Sequence, residues 1–228
     1  MNRDNADILP KLAESGYPEM AARIMGVALE LFARKGYAAT SVREIVRLAD
    51  VTNPTLYYYF ENKADLFAEL VEYLFGSMGE DVERAIEEND GFVERLEAIA
   101  WAHLDASRHS PQSLKFVYSV LFGPEEVHPP FDLSDRHAAR VGMISAIFDE
   151  AIENGEFRPR EGFDSLFLTQ QFFGLLNSHL MRTLKIVEHL ESDQVRQSFF
   201  DESFSREEGD KLVEFFIAGA GEVHTEES

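Results

Sequence analysis

Apolar residues recur every three or four positions along most of this chain, and runs that alternate apolar with polar are nearly absent. That period lines one face of a helix, whereas a half-buried strand needs a period of two. The first clear stripe is Met20, Ile24, Val27, Ala28, Leu31 and Phe32, closed by Gly36 after Arg34 and Lys35. A glycine just past the end and cations in the last turn are a common helix stop. Ser41-Val42-Arg43-Glu44 has the form of a capping box and opens a short helix to about Ala49. Thr52 caps a third helix, with Pro54 tolerated in its first turn because no amide donor is needed there. A long amphipathic helix runs from Lys63 through Leu66, Leu70, Leu74, Met78 and Val82 to about Asn89-Asp90-Gly91. Further helices are predicted near 92–108, 112–122, 134–154, 162–188 and 206–219. Pro111, the Gly123–Pro130 loop, the Asn154–Pro159 turn and the polar 191–205 stretch separate them. The predicted fold is all-α, with about nine helices and no strand.

The 228 residues are 45% hydrophobic and 28% charged, enough apolar material for a sizeable core in one large or two small domains. With no cysteine, disulfide scaffolds, thiolate metal sites and cysteine nucleophiles are excluded. Residues 1–18 read as a loose, flexible tail broken by Pro10, Gly16 and Pro18, without the basic-then-apolar order of a secretory leader. No apolar run approaches the roughly 18 residues that cross a bilayer, so no membrane partner is expected and the protein is expected in the cytoplasm.

Charge is uneven. Lys and Arg number 21 against 42 Asp and Glu, a net −21, which at first argues against nucleic acid. Residues 20–63, however, hold six basic and four acidic residues, while residues 76–228 hold 13 basic and 31 acidic ones, a net −18. One short window escapes the acidity of the rest of the chain, and that window also carries a motif.

The motif spans 36–63. Two short helices joined by a three-residue turn, with Val42, Ile45, Val51, Leu56 and Phe60 fixing their crossing, describe a helix-turn-helix. The second helix offers Asn53, Thr55, Tyr57 and Tyr58, groups suited to base edges, thymine methyls and phosphates. Thr40, Ser41, Thr52 and Lys63 sit at helix starts, where free amides and the dipole favour phosphate oxygens, and Arg43 adds a cation. The expected DNA-contacting set is Thr40, Ser41, Arg43, Thr52, Asn53, Thr55, Tyr57, Tyr58 and Lys63. Catalysis has no comparable support. The seven histidines are scattered, and the one Glu-x-x-His, Glu125 to His128, lies in a proline-bounded loop. There is no nucleophile elbow and no phosphate-binding glycine loop, so no enzyme, metal or cofactor is expected.

These residues closely resemble the TetR family of bacterial transcriptional regulators. The matching elements are Ala28, Leu31 and Phe32, the Gly36-Tyr37 turn, and Thr40-Ser41-Val42-x-x-Ile45. Ala49-x-Val51-Thr52 and Leu56-Tyr57-x-Tyr59-Phe60-x-x-Lys63 complete the set, which covers about residues 20–75. The chain departs at Asp50, where the family usually has glycine; aspartate tolerates left-handed backbone better than most residues. The resemblance implies a homodimeric repressor with a helix-turn-helix domain at 19–62 and a ligand-sensing, dimerising domain at 63–228, whose first helix (63–89) links the two. It further implies a double-stranded DNA operator and a small-molecule inducer that shifts a two-state dimer. A helical ligand-binding or adaptor protein without specific DNA binding is the alternative, favoured by the acidic charge.

The larger domain suggests a pocket and an interface. Trp101, His103, Phe116, Tyr118 and Met143, with Phe148, Phe167, Gln170, Phe173 and Asn177, could line an aromatic cavity with a few orienting polar groups. Arg84, Arg95, Arg136 and Arg140 fall on predicted outer faces, which favours a neutral or cationic aromatic inducer over an anionic one. The segment 163–187 is apolar on more than one face, so one face is expected to meet a second copy. The expected dimer residues are Phe172, Leu176, Leu180, Leu184, Phe215 and Phe216. The Gly123–Pro130 loop is either a lid or a stiff connection.

Overall fold

A computed structural model of the chain describes residues 8–123, 128–129, 134–190 and 192–223. The first four helices are α1 (Ile8–Glu14), α2 (Glu19–Lys35), α3 (Val42–Leu48) and α4 (Asn53–Tyr59). Next in the chain come α5 (Lys63–Glu87), α6 (Phe92–His109), α7 (Pro111–Phe122) and α8 (Ser134–Glu153). Strand β1 (Phe157–Pro159) precedes α9 (Ser165–His189), α10 (Asp193–Ser203) and α11 (Arg206–Ala220), and β2 (Gly221–Val223) comes last. The all-α expectation holds for every long element. Among the described residues, no helix is long and apolar enough to cross a membrane.

The chain divides into two compact units, one of residues up to Ser77 with His109–Asp132, the other of Met78–Arg108 with the rest. Each has its own aromatic core. In the first, α2 buries Ile24, Met25, Ala28, Leu31 and Phe32, the stripe that the helical spacing predicts. Phe32 lies 5.4 Å from Phe67 and 6.2 Å from Phe116 by ring centroid, and Phe67 lies 5.1 Å from Phe116, so α2, α5 and α7 meet at one aromatic cluster. Helix α2 ends where Gly36 takes φ +81°, a left-handed value that costs a side chain but not glycine. In the second unit, Phe92, Leu96, Ile99, Ile144, Ile147, Phe148, Phe172, Leu176 and Val213 form one continuous core. Burying each such side chain contributes about 1.5–3 kcal/mol.

Three elements depart from expectation. Residues 8–14, expected within a loose tail, form α1, with Ile8 and Leu12 buried one turn apart. Pro10 stands in the first turn, where its missing N–H has no helical partner to lose. The hydroxyl of nearby Tyr17 donates to Glu69 at 2.6 Å, which ties the α1–α2 connection to α5. Residues 1–7 of that tail lie outside the described residues. The polar 191–205 stretch contains α10, near whose end Phe200 packs, tilted, against the buried Phe204 with ring centroids 4.3 Å apart. Finally, β1 and β2 pair antiparallel, Phe157 opposite Val223 and Pro159 opposite Gly221. A Cβ on Gly221 would lie 2.3 Å from the Arg158 carbonyl oxygen and 2.7 Å from the Phe157 ring, so only glycine admits this approach.

Candidate nucleic-acid interface and ligand cluster

Helices α3 and α4 start on side-chain caps. Ser41 Oγ accepts from Glu44 N–H at 3.2 Å, and Thr52 Oγ1 accepts from Thr55 N–H at 3.3 Å. Pro54 occupies the first turn of α4, as expected. Between the helices Asp50 adopts φ +51°, and Val51 N–H reaches back to the Val46 carbonyl at 3.0 Å. That is a left-handed helix stop with its long return bond, made here by aspartate instead of glycine. Arg23 of α2 donates to the Asp50 carbonyl at 2.9 Å and holds the turn from behind. Ile45, Ala49, Leu56 and Phe60 are buried, which fixes how α3 and α4 cross.

The opposite face is open. Tyr57 is 52% exposed and Tyr58 81%, and Ser41, Arg43, Thr52 and Asn53 are exposed beside them, with Thr55 half-buried. Arg47 and Leu48 extend this face along α3. Neither belongs to the contact set expected from sequence, although Arg47 stands one turn after Arg43 and so shares its face.

Two expected contacts are directed inward instead. Thr40 is 1% exposed and its hydroxyl donates to the Gly36 carbonyl at 2.8 Å, so its side chain is committed to closing the turn after α2. Lys63 Nζ donates to the carbonyls of Tyr37 at 2.9 Å and Thr40 at 2.8 Å, and lies 3.9 Å above the Tyr37 ring. Desolvation, and then the nearby charge of Lys35, lowers its pKa. Lys63 therefore ties the start of α5 to the 37–40 loop. The loop is further held by a Lys35–Glu44 ion pair.

The residues expected to line one pocket do not share one environment. Phe116 and Tyr118, on α7, belong to the first unit: Phe116 is fully buried against Phe32 and Phe67, and Tyr118 packs near Phe122. Burial raises the Tyr118 pKa. In the second unit Phe148 is core, near Phe92, Phe157 and Phe216. Phe167 is 38% exposed against Phe163, Gln170 is exposed, and Trp101 and Met143 are half-buried.

His103, Phe173 and Asn177 do come together. His103 Nε2 is 3.4 Å from Asn177 Oδ1, and the His103 and Phe173 rings are 6.3 Å apart. A residue expected on an outer face joins them: the Arg140 guanidinium lies 5.5 Å over the Phe173 ring. Its Nε is buried with no hydrogen-bond partner among the described residues. Arg140 stands one turn before Ile144 on the buried face of α8, so spacing could have found it. Desolvation, and then the Arg140 charge, pushes the His103 pKa down to about 4 against a weaker opposing bond from Asn177. His103 is neutral at pH 7.

The expected interface residues also separate. Phe172, Leu176 and Leu180 are 0% exposed, Leu184 9% and Phe216 8%, so the chain's own core takes them. Of the set only Phe215, at 71%, faces outward. The outer apolar groups of α9 are instead Leu166, at 51%, and Met181, at 46%, together with Phe167 and Ile186. Periodicity identifies two apolar faces without saying which one the monomer keeps. The Glu125–His128 pair and the centre of the Gly123–Pro130 loop fall on positions outside the described residues, apart from His128 and Pro129.

Residues 24–70 match the family of bacterial regulatory proteins known as the tetR family. That match identifies residues 24–70 as a tetR-family segment. The chain's similarity to the fatty acid metabolism regulator protein of Bacillus subtilis is 26% identity over 157 residues, 68% of this chain and 78% of that one. With the regulator QacR of Staphylococcus aureus it shares 47% identity over 49 residues, only 22% of this chain and 26% of that one. The fold resembles the crystal structure of the regulator FadR from Bacillus subtilis in complex with stearoyl-CoA, with TM-score 0.64 and 21% identity. That likeness covers 86% of this chain and 97% of FadR. The tetR-family segment coincides with α2–α4 and the start of α5, where the capped helices and the exposed tyrosines lie.

Proposed function

We propose that this chain is a ligand-responsive, homodimeric transcriptional repressor that docks α4 in the major groove of a palindromic operator. The observation that carries the reading is the face of α3 and α4, which keeps its scaffold polar groups satisfied internally. It leaves Arg43, Asn53, Tyr57 and Tyr58 open on a rigid surface. The acidic remainder of the chain, −18 over residues 76–228, repels DNA from other surfaces and so favours one docking orientation. Ser41, Thr52 and Arg43 are assigned to phosphates, and Asn53, Thr55, Tyr57 and Tyr58 to the groove. Thr40 and Lys63 hold the 36–40 loop and act through its position. Acting on an operator entails a cytoplasmic protein.

The dimer face in this reading is Leu166, Phe167, Met181 and Phe215, an apolar group on α9 and α11 that a second copy would cover. An inducer with an apolar body binds in the second unit and selects the state that releases DNA. The relatives support an apolar body, because one is named for fatty acid metabolism and the structural neighbour holds stearoyl-CoA. Fluorescence anisotropy with labelled DNA from upstream of the chain's own gene tests the reading. Saturable binding with nanomolar affinity, at least about 1000-fold tighter than to unrelated DNA, is expected for a specific regulator. Equal affinity for both DNAs would favour the adaptor reading that the net charge of −21 suggests.

A further inference from the structure

Arg140 is a cation in an unusual position. Its Nε is sealed from solvent without a hydrogen-bond acceptor, and no described carboxylate pairs with it. A guanidinium stays charged at any physiological pH, so burial without a counter-charge is costly. The protein offsets part of that cost by laying the group over the Phe173 ring at 5.5 Å. The ring face supplies no acceptor, so the buried Nε–H keeps its capacity to donate to an anion, and a carboxylate is the group a guanidinium fork binds best. His103 and Asn177 stand at the same cluster from α6 and α9, with Nε2 and Oδ1 3.4 Å apart.

We propose that Arg140, His103 and Asn177, on the platform of Phe173, form the head-group site for an organic carboxylate with an apolar body. This rests on the ligand-responsive reading above and replaces the neutral or cationic aromatic inducer expected from sequence. The site takes a monoanion. Arg140 supplies one positive charge, neutral His103 adds none, and the surrounding −18 over residues 76–228 repels a polyanion. Phe173, and the half-buried Met143 that follows Arg140 by three residues on the same face of α8, offer apolar surface for the body of the ligand.

Thermal shift and titration calorimetry on the full chain test this, with decanoate and 4-phenylbutyrate as probes and the matching primary amides as neutral controls. The carboxylates are expected to raise the Tm and the amides to bind about 10- to 100-fold more weakly, the loss of a charge-assisted bond pair. Arg140→Met is expected to raise the Tm of the ligand-free chain by about 2–4 °C, because it removes an uncompensated buried charge. It should also abolish the preference for carboxylate over amide, and Arg140→Lys should recover part of it. A lower ligand-free Tm in Arg140→Met would overturn the proposal, since Arg140 would then be structural. So would equal binding of acid and amide, tighter binding of decanoyl-CoA that is indifferent to Arg140→Met, or no binding by either carboxylate. Anisotropy with the upstream DNA separates the two readings. If amides alone release DNA, the carboxylate site fails and the regulator stands. If carboxylates bind through Arg140 but no DNA is bound, the site stands and the regulator fails.

Discussion

The loop-and-helix segment at 36–63 and the cluster around Arg140 treat polar groups in opposite ways. In the first, Thr40, Ser41, Thr52, Asp50 and Lys63 all bond to the chain's own backbone or take part in its turns, and the surface they hold is left for a partner. In the second, the Nε of Arg140 is carried inside and left without an acceptor. A surface that meets DNA must be rigid before it binds, since the duplex reads spacing and orientation. A site that senses a small molecule gains discrimination from an incompletely satisfied buried group, because only the right ligand supplies what is missing.

The largest effect that tests this contrast comes from the core. Phe216→Glu puts a charge into the second unit's core and should leave no cooperative thermal unfolding transition by circular dichroism, whereas Phe215→Glu should fold. If the proposed dimer face is correct, Phe215→Glu sediments as a monomer while the wild type does not. Next in size, Lys63→Ala removes two bonds to carbonyls and should cost about 1–3 kcal/mol in a urea titration. As a positioning residue it should weaken DNA binding without changing the salt slope, whereas Arg43→Ala should lower that slope by about 0.9. A slope change in Lys63→Ala would return Lys63 to the phosphate contacts.

A third test uses pH. His103 is neutral in the folded chain down to about pH 4 but titrates near 6.5 when unfolded, so the unfolded state binds the extra proton between those values. Stability should therefore fall as pH drops from 6.5 to 4, by at most about 1.4 kcal/mol per pH unit from this residue. His103→Gln should flatten that part of the profile. The smallest effect is expected at Asp50. Asp50→Gly should stabilise by roughly 1 kcal/mol by relieving the φ of +51°, and Asp50→Ala should destabilise by a similar amount.

The segment at 36–63 is legible in sequence because its signals are local: a cap, a proline in the next first turn and buried positions within a few residues of one another. Asp50 shows how far that extends, since its left-handed turn follows from residue type alone. Elements α1 and α10 escape such signals for a different reason. Each is short, one contains Pro10 and the other is mostly polar, so what makes them helical is packing of Ile8, Leu12 and Phe204. At Arg140 residue type and position conflict. A cation suggests a surface, yet its place one turn before Ile144 points inward. On α9 the pattern shows two apolar faces, and only three-dimensional packing decides that Phe172, Leu176 and Leu180 serve the monomer.

The pairing of Phe157 with Val223 has a kinetic consequence. It joins positions separated in sequence by the whole of α9, α10 and α11, so closing it loses far more chain entropy than any cap in the helix-turn-helix. Such a contact forms after the local ones, and its loop must already be compacted by helix packing when the strands meet. Refolding monitored by pulsed hydrogen exchange would then protect the amides of α3 and α4 early and those of the strand pair last. Gly221, through which β2 approaches β1, governs the final step of assembly rather than the first.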